Sequence, residues 1–105
     1  MDQYTLCKEF TNVFLFASPQ QFHCLIKTLN NKQTKIIGSI CYNLLYNKSV
    51  QLSEKEKKIL KPHLAIYIIV SDKKKSSAFR RELISRNPKS IKSLLKAFSI
   101  FNARV

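Results

Sequence analysis

The side chains best supplied for chemistry are cations. Lys55, Lys57, Lys58 and Lys61 are followed by Lys73, Lys74 and Lys75, then by Arg80, Arg81 and Arg86, then by Lys89, Lys92 and Lys96. Lys57 and Lys61 stand four apart and share a helix face, while Lys89, Lys92 and Lys96 step by three and then four and form one stripe. Ammonium groups at such spacing neutralise phosphates without reading bases. Lysine outnumbers arginine fifteen to four, and arginine is the residue that grips a base edge with two donors. The chemistry to expect is therefore contact with a nucleic-acid backbone, duplex DNA above all, without regard to sequence. Arg80 and Arg81 are the one pair that could enter a groove. A charge run is more commonly a solvated face, on which these two arginines would pair with acids such as Glu82.

The total charge decides between those readings. Nineteen basic against six acidic residues leave +13, a self-repulsion that calls for an anionic partner or a very salty niche. The charge is also one-sided. Residues 1 to 52 hold five lysines and two acids, whereas residues 53 to 105 hold ten lysines, four arginines and four acids.

Other chemistry is poorly supplied. Glu54 and Glu56 are two apart on opposite faces of a helix, which suits a helix start and not an acid and base pair. His23 and Cys24 are adjacent, and neighbours in a helix point about 100° apart. His63 beside Pro62 reads as a helix-start residue. Cys7, Cys24 and Cys41 give no close ligand pair, so no metal, cofactor, catalytic residue or enzyme activity is expected. Tyr46 and Tyr67 could stack single-stranded bases, but aromatics are usually core residues and both are expected there.

These residues need a scaffold, and 105 residues that are 45% hydrophobic fit one domain with a modest core. The expected fold is all-α, a compact domain of five or six short helices, with residues 1–52 mainly core-forming and 53–105 carrying the basic face. The odd cysteine set suits a reducing intracellular compartment, with the three thiols as buried small hydrophobes. No basic segment followed by a long apolar run marks a secretory signal. The longest apolar run, Leu64 to Val70, is too short to span a bilayer, so a soluble protein with no membrane partner is expected.

Helix signals recur along the chain. Tyr4, Leu6, Cys7, Phe10, Val13 and Phe14 recur at steps that favour an amphipathic helix, although Val13 to Phe16 could equally be a strand. Ser18, Pro19 and Gln21 open a second helix lined by Phe22, Leu25, Ile26 and Leu29. Asn30 and Asn31 break it. A third and central helix starts near Lys32, with Ile36, Ile37, Ile40, Cys41, Leu44 and Leu45 on a wide stripe and Gly38 as a candidate close crossing. Asn47, Lys48 and Ser49 end it. Ser53 with Glu56 predicts another capped start, with Leu52 as a staple. Pro62 must kink or restart that helix, giving one to Leu60 and another from Pro62 to about Val70. The run from Leu64 to Val70 has strand propensity but helical neighbours, and helix is expected. Ser76 or Ser77 caps a helix containing Phe79, Leu83 and Ile84. Asn87 and Pro88 open the last one, with Ile91, Leu94, Leu95 and Phe98 on its apolar face.

From Phe22 to Leu95 this order of features resembles the small basic proteins encoded beside capsid genes in adintoviruses and Polinton-like mobile elements. The matching pieces are Leu25-Ile26-Lys27-Thr28, then Asn43-Leu44-Leu45, then Leu52-Ser53-Glu54-Lys55-Glu56-Lys57-Lys58-Ile59-Leu60-Lys61, then Asp72-Lys73-Lys74-Lys75 and Arg80-Arg81-Glu82-Leu83-Ile84. Two departures stand out. Arg86-Asn87-Pro88-Lys89 replaces the usual glycine pair, and the apolar run Ala65 to Val70 replaces basic residues, which moves that helix toward the core. The resemblance implies a virion- or genome-associated protein of a double-stranded DNA virus or an integrated copy, acting in the virion or host nucleus. In many copies it would condense a genome or tether it to a capsid. The alternative is an interaction module whose basic face docks an acidic capsid or host protein surface; a host-directed regulator is a third. Exposure of Phe98, Ile100 and Phe101 as a patch would favour protein docking; their packing, with only lysines left outside, would favour nucleic acid.

Overall fold

Reciprocal hydrogen bonds at helix starts set the local structure. The Ser18 hydroxyl accepts from the Gln21 amide while the Gln21 side chain accepts from the Ser18 amide. Asn30 and Gln33 make the same exchange at 2.8 and 2.9 Å, as do Ser53 and Glu56. Ser76 Oγ accepts from the Phe79 amide at 3.1 Å. Each bond satisfies an amide that the first helical turn leaves without a partner. Asn30 is thus more than a helix breaker, because its carboxamide starts the next helix. The computed structural model describes residues 3–47 and 50–104, and among them every regular element is helical. The order is α1 Gln3–Leu15, α2 Pro19–Lys27, α3 Asn31–Tyr46, α4 Glu54–Leu60, a 3-10 turn Lys61–His63, α5 Leu64–Ser71, α6 Ser77–Arg86 and α7 Pro88–Arg104. The stretch α4, turn and α5 has no intervening loop, so Pro62 produces the expected restart within a continuous helical path. Counted as one kinked unit, that path leaves six helices. The Tyr4 and Leu6 side chains and the positions Lys48 and Ser49 lie outside what is described.

Residues Val13 to Leu15 are helical, as are Leu64 to Val70, despite their β-branched content. With helices on every side, α5 closes its hydrogen bonds internally. Its burial is one-sided: Tyr67, Val70 and Ser71 face inward, while Leu64, Ala65 and Ile68 are exposed. The apolar run has moved toward the core along only one stripe. That inward stripe packs on α3 at Gly38, the single glycine of the chain. A methyl group there would lie 3.1 Å from the Val70 carbonyl oxygen and 3.2 Å from Arg80 Nη1. The expected close crossing is present.

The core draws on both halves of the chain. α3 contacts α1, α5, α6 and α7, and α7 contacts α1, α3, α4 and α6; Ile26, Ile37 and Cys41 meet Tyr67, Ile84, Leu94 and Leu95 in one fully buried cluster. Phe14 stacks edge-on to Phe22 with ring centroids 5.9 Å apart. The Tyr67 hydroxyl donates to the Ser90 carbonyl at 2.6 Å, and Ser90 Oγ meets His63 Nδ1 at 2.8 Å, which ties α5 and the 3-10 turn to α7. Burial pushes the Cys41 thiol and the Tyr67 phenol well above their ordinary values. Cys7 and Cys41 are buried as expected, but Cys24 is exposed because Phe22 and Ile26, which flank it on α2, take the inward face. The Cα extents are 31 × 31 × 30 Å with a radius of gyration of 12.7 Å, the size expected of a packed domain of this length. No helix among the described residues is long and apolar enough to cross a membrane.

Candidate functional site

Every described lysine is exposed. Lys55, Lys57 and Lys58 project from α4, and Lys61 from the 3-10 turn; Lys73, Lys74 and Lys75 occupy the link from α5 to α6, where the Asp72 carboxylate accepts from the Lys74 amide at 2.9 Å. Lys89, Lys92 and Lys96 lie on the outer face of α7. These cations do not form one patch of like surroundings. Lys57 borders a recess at the end of α3 and sits 3.6 Å from Glu54. Lys75 Nζ lies 5.8 Å from the Phe79 ring centroid, and Lys92 Nζ lies at the same distance over Phe22 of α2. Arg86 pairs with Glu82 at 3.0 Å. Half-buried Arg81 donates to Asn31 Oδ1 at 2.9 Å, holding α6 against the start of α3.

Arg80 corrects the sequence reading. It is 7% exposed and does not stand beside Arg81 on an open surface. On α6 the inward residues are Arg80 and Ile84, four apart on one face, whereas Phe79 is 51% exposed. Arg80 Nη1 donates to the Val70 carbonyl at 3.4 Å, a long bond to the end of α5. Its Nε is buried with no hydrogen-bond partner, and among the described residues no carboxylate stands within ion-pair distance.

Arg80 lines a cleft of about 580 Å³. One wall is the polar face of α3, comprising Lys35, Ser39, Tyr42 and Asn43 beside Gly38; the other is Ser71, Lys73 and Arg80. Three cations from three segments converge there, and among the described residues no carboxylate lines it. Tyr42 and Tyr46 extend the α3 wall as a ring pair 5.3 Å apart, each about half exposed. Of the two tyrosines expected in the core, Tyr67 is fully buried and Tyr46 is not.

Lys35, Gly38, Tyr42 and Asn43 were missed as site residues because they sit in the half read as core. The signal was the spacing of Lys32, Lys35, Ser39, Tyr42 and Tyr46, steps of three and four that mark an exposed stripe opposite the apolar one. The remaining candidates have structural surroundings: Glu56 is buried in its capping box, and His63 holds Ser90. His23 and Cys24 lie exposed on α2. Among the described residues, no group of three His, Cys, Asp or Glu side chains is placed to hold a metal ion. Compared with known protein families, curated proteins and solved structures, the chain matches none.

Proposed function

We propose that this protein binds the backbone of nucleic acids without regard to sequence. The observation that carries the reading is the exposure of every described lysine on a globule about 30 Å across. The two described ion pairs, both on the surface, involve only Lys57 and Arg86. The screening length at 0.1 M salt is about 10 Å, so a bound strand responds to local clusters such as Lys73, Lys74 and Lys75 more than to the total charge. In the tail Phe98 is buried and Ile100 and Phe101 are half-buried, which supports the same reading, but lysines are not the only side chains outside, since Phe16, Ile68 and Phe79 are exposed. In many copies such a protein would neutralise and condense a genome, in the role suggested by the resemblance to proteins encoded beside viral capsid genes.

The test is affinity for random-sequence duplex DNA across a salt series. Each phosphate contact contributes about −0.9 to the slope of log K against log salt. Changing Lys73, Lys74 and Lys75 to glutamine is expected to flatten the slope by about 2 to 3. Absence of binding at low salt overturns the proposal. A second reading, docking to an acidic protein surface, draws on the exposed stripe Leu64, Ala65 and Ile68 and on Phe16, which is 86% exposed. Under that reading, Ile68→Ser abolishes partner binding while DNA affinity is unchanged.

A further inference from the structure

We infer that the cleft between α3 and α6 is a built site for a phosphate group, with Arg80 as its anchor and Tyr42 beside it for the attached nucleoside. The inference rests on the nucleic-acid reading for its ligand class, but its evidence is separate. A buried guanidinium without a counter-charge is costly, and proteins keep such groups where another charge completes them. Arg80 meets only a carbonyl oxygen, through a long bond from Nη1, and its Nε has no protein partner. With Nε sealed from solvent, the Nη donors are the part of the planar fork left to meet oxygens of a phosphate.

The surroundings favour an anion over a carboxylate side chain of the protein itself. Lys35 and Lys73 enter from opposite walls, and Tyr42 adds a hydroxyl group, whereas the Ser71 hydroxyl donates to the Ile68 carbonyl at 2.9 Å. Such a half-enclosed, single-sign cleft concentrates its field more than lysines spread on an open surface. Gly38 contributes by its lack of a side chain, since a methyl would crowd Arg80 Nη1. The volume exceeds what one phosphate fills, and exposed Tyr42, paired with Tyr46, offers a ring face on which a base can stack. A nucleotide within or at the end of a single strand fits these features better than one held in a duplex, whose bases are stacked on each other.

The test is a titration of the isotope-labelled full chain, followed by amide chemical shifts, with inorganic phosphate, thymidine 5′-monophosphate and a short oligothymidylate in turn. The expected result is saturable shifts confined to residues 35–43 and 71–80, tighter for the nucleotide than for phosphate alone. Arg80→Met and Lys35→Gln should each weaken binding about tenfold or more, while Lys27→Gln, outside the cleft, leaves it unchanged. Lys35 and Lys73 are exposed, so Lys35→Gln and Lys73→Gln carry the test if Arg80→Met fails to fold. Equal affinity for phosphate and nucleotide would remove Tyr42 from the site. Shifts that never saturate, that spread over all lysine-bearing segments, or that ignore these variants overturn the inference. Duplex binding with no response from the cleft would defeat this site and leave the backbone proposal standing. Saturable phosphate binding with no duplex affinity would do the reverse.

Discussion

Replacing Gly38 by alanine sets two energies of similar size against each other. Alanine in a helix interior is about 1 kcal/mol more favourable than glycine, so α3 alone would gain. The new methyl, however, lies 3.1 Å from the Val70 carbonyl oxygen and 3.2 Å from Arg80 Nη1, a few tenths of an ångström inside a comfortable contact. Arg80 could swing aside at the expense of its bond to Val70. The carbonyl belongs to the backbone of α5, and moving it disturbs the packing of Ile37, Cys41, Tyr67 and Val70, none of which has exposed surface. Overpacking of this kind costs about 1–3 kcal/mol. The expected net effect of Gly38→Ala is a loss of about 1 kcal/mol, read as a lower urea midpoint with unchanged slope and a melting temperature lower by about 4–8 °C. Phosphate affinity should fall in the same variant. A gain in stability near the full helix-propensity value would refute the argument, because it would mean that α3 and α5 have room to spare where they cross.

Tyr67→Phe removes the hydroxyl that donates to Ser90 and leaves a buried carbonyl short of a partner; a loss of about 1–2 kcal/mol in chemical unfolding is expected, and an unchanged midpoint would discount that bond. Alkaline pH provides a second check. Tyr67 and Cys41 are held neutral by burial, with folded pKa values raised above the ordinary 10.0 and 9.0. Their contribution is intact below pH 9 and is lost as pH rises past those ordinary values toward the raised ones, because the unfolded chain releases its protons first. The urea midpoint should therefore fall between pH 8 and pH 10, and should fall less in Cys41→Ala; equal slopes for both proteins would contradict this assignment.

The parts of the fold legible in the sequence are those set by short-range chemistry. Ser18 with Gln21 and Ser53 with Glu56 announce their helix starts because the bonding partners lie three residues apart. Pro62 announces the restart because its ring forbids an ordinary turn. The burial of Arg80 was not legible, for the opposite reason. Burial of Arg80 depends on Gly38, Val70 and the cleft walls, all outside its own helix, while Phe79 finds a use on the surface beside Lys75. Local periodicity assigns phenylalanine inward and arginine outward and has no access to a gap opened by a distant glycine. The cleft was illegible as a unit because one wall comes from α3, and a charge count draws the eye to residues beyond 52. Lys73 and Arg80 were named as candidates, but their convergence with Lys35 exists only in three dimensions.

The contact of α7 with α1 and α4 has a consequence for how the chain is made. Ile91, Leu94, Leu95, Ala97 and Phe98 close the core from the last helix, so a growing chain presents the apolar faces of α1, α3 and α4 before their cover exists. Translation at about 5–20 residues per second leaves that interval on the order of seconds. During it, the lysines are already present on α4 and in the following link, and like charges hold nascent chains apart. The high charge thus has a kinetic benefit: it protects an unfinished core from association with its neighbours until α7 arrives.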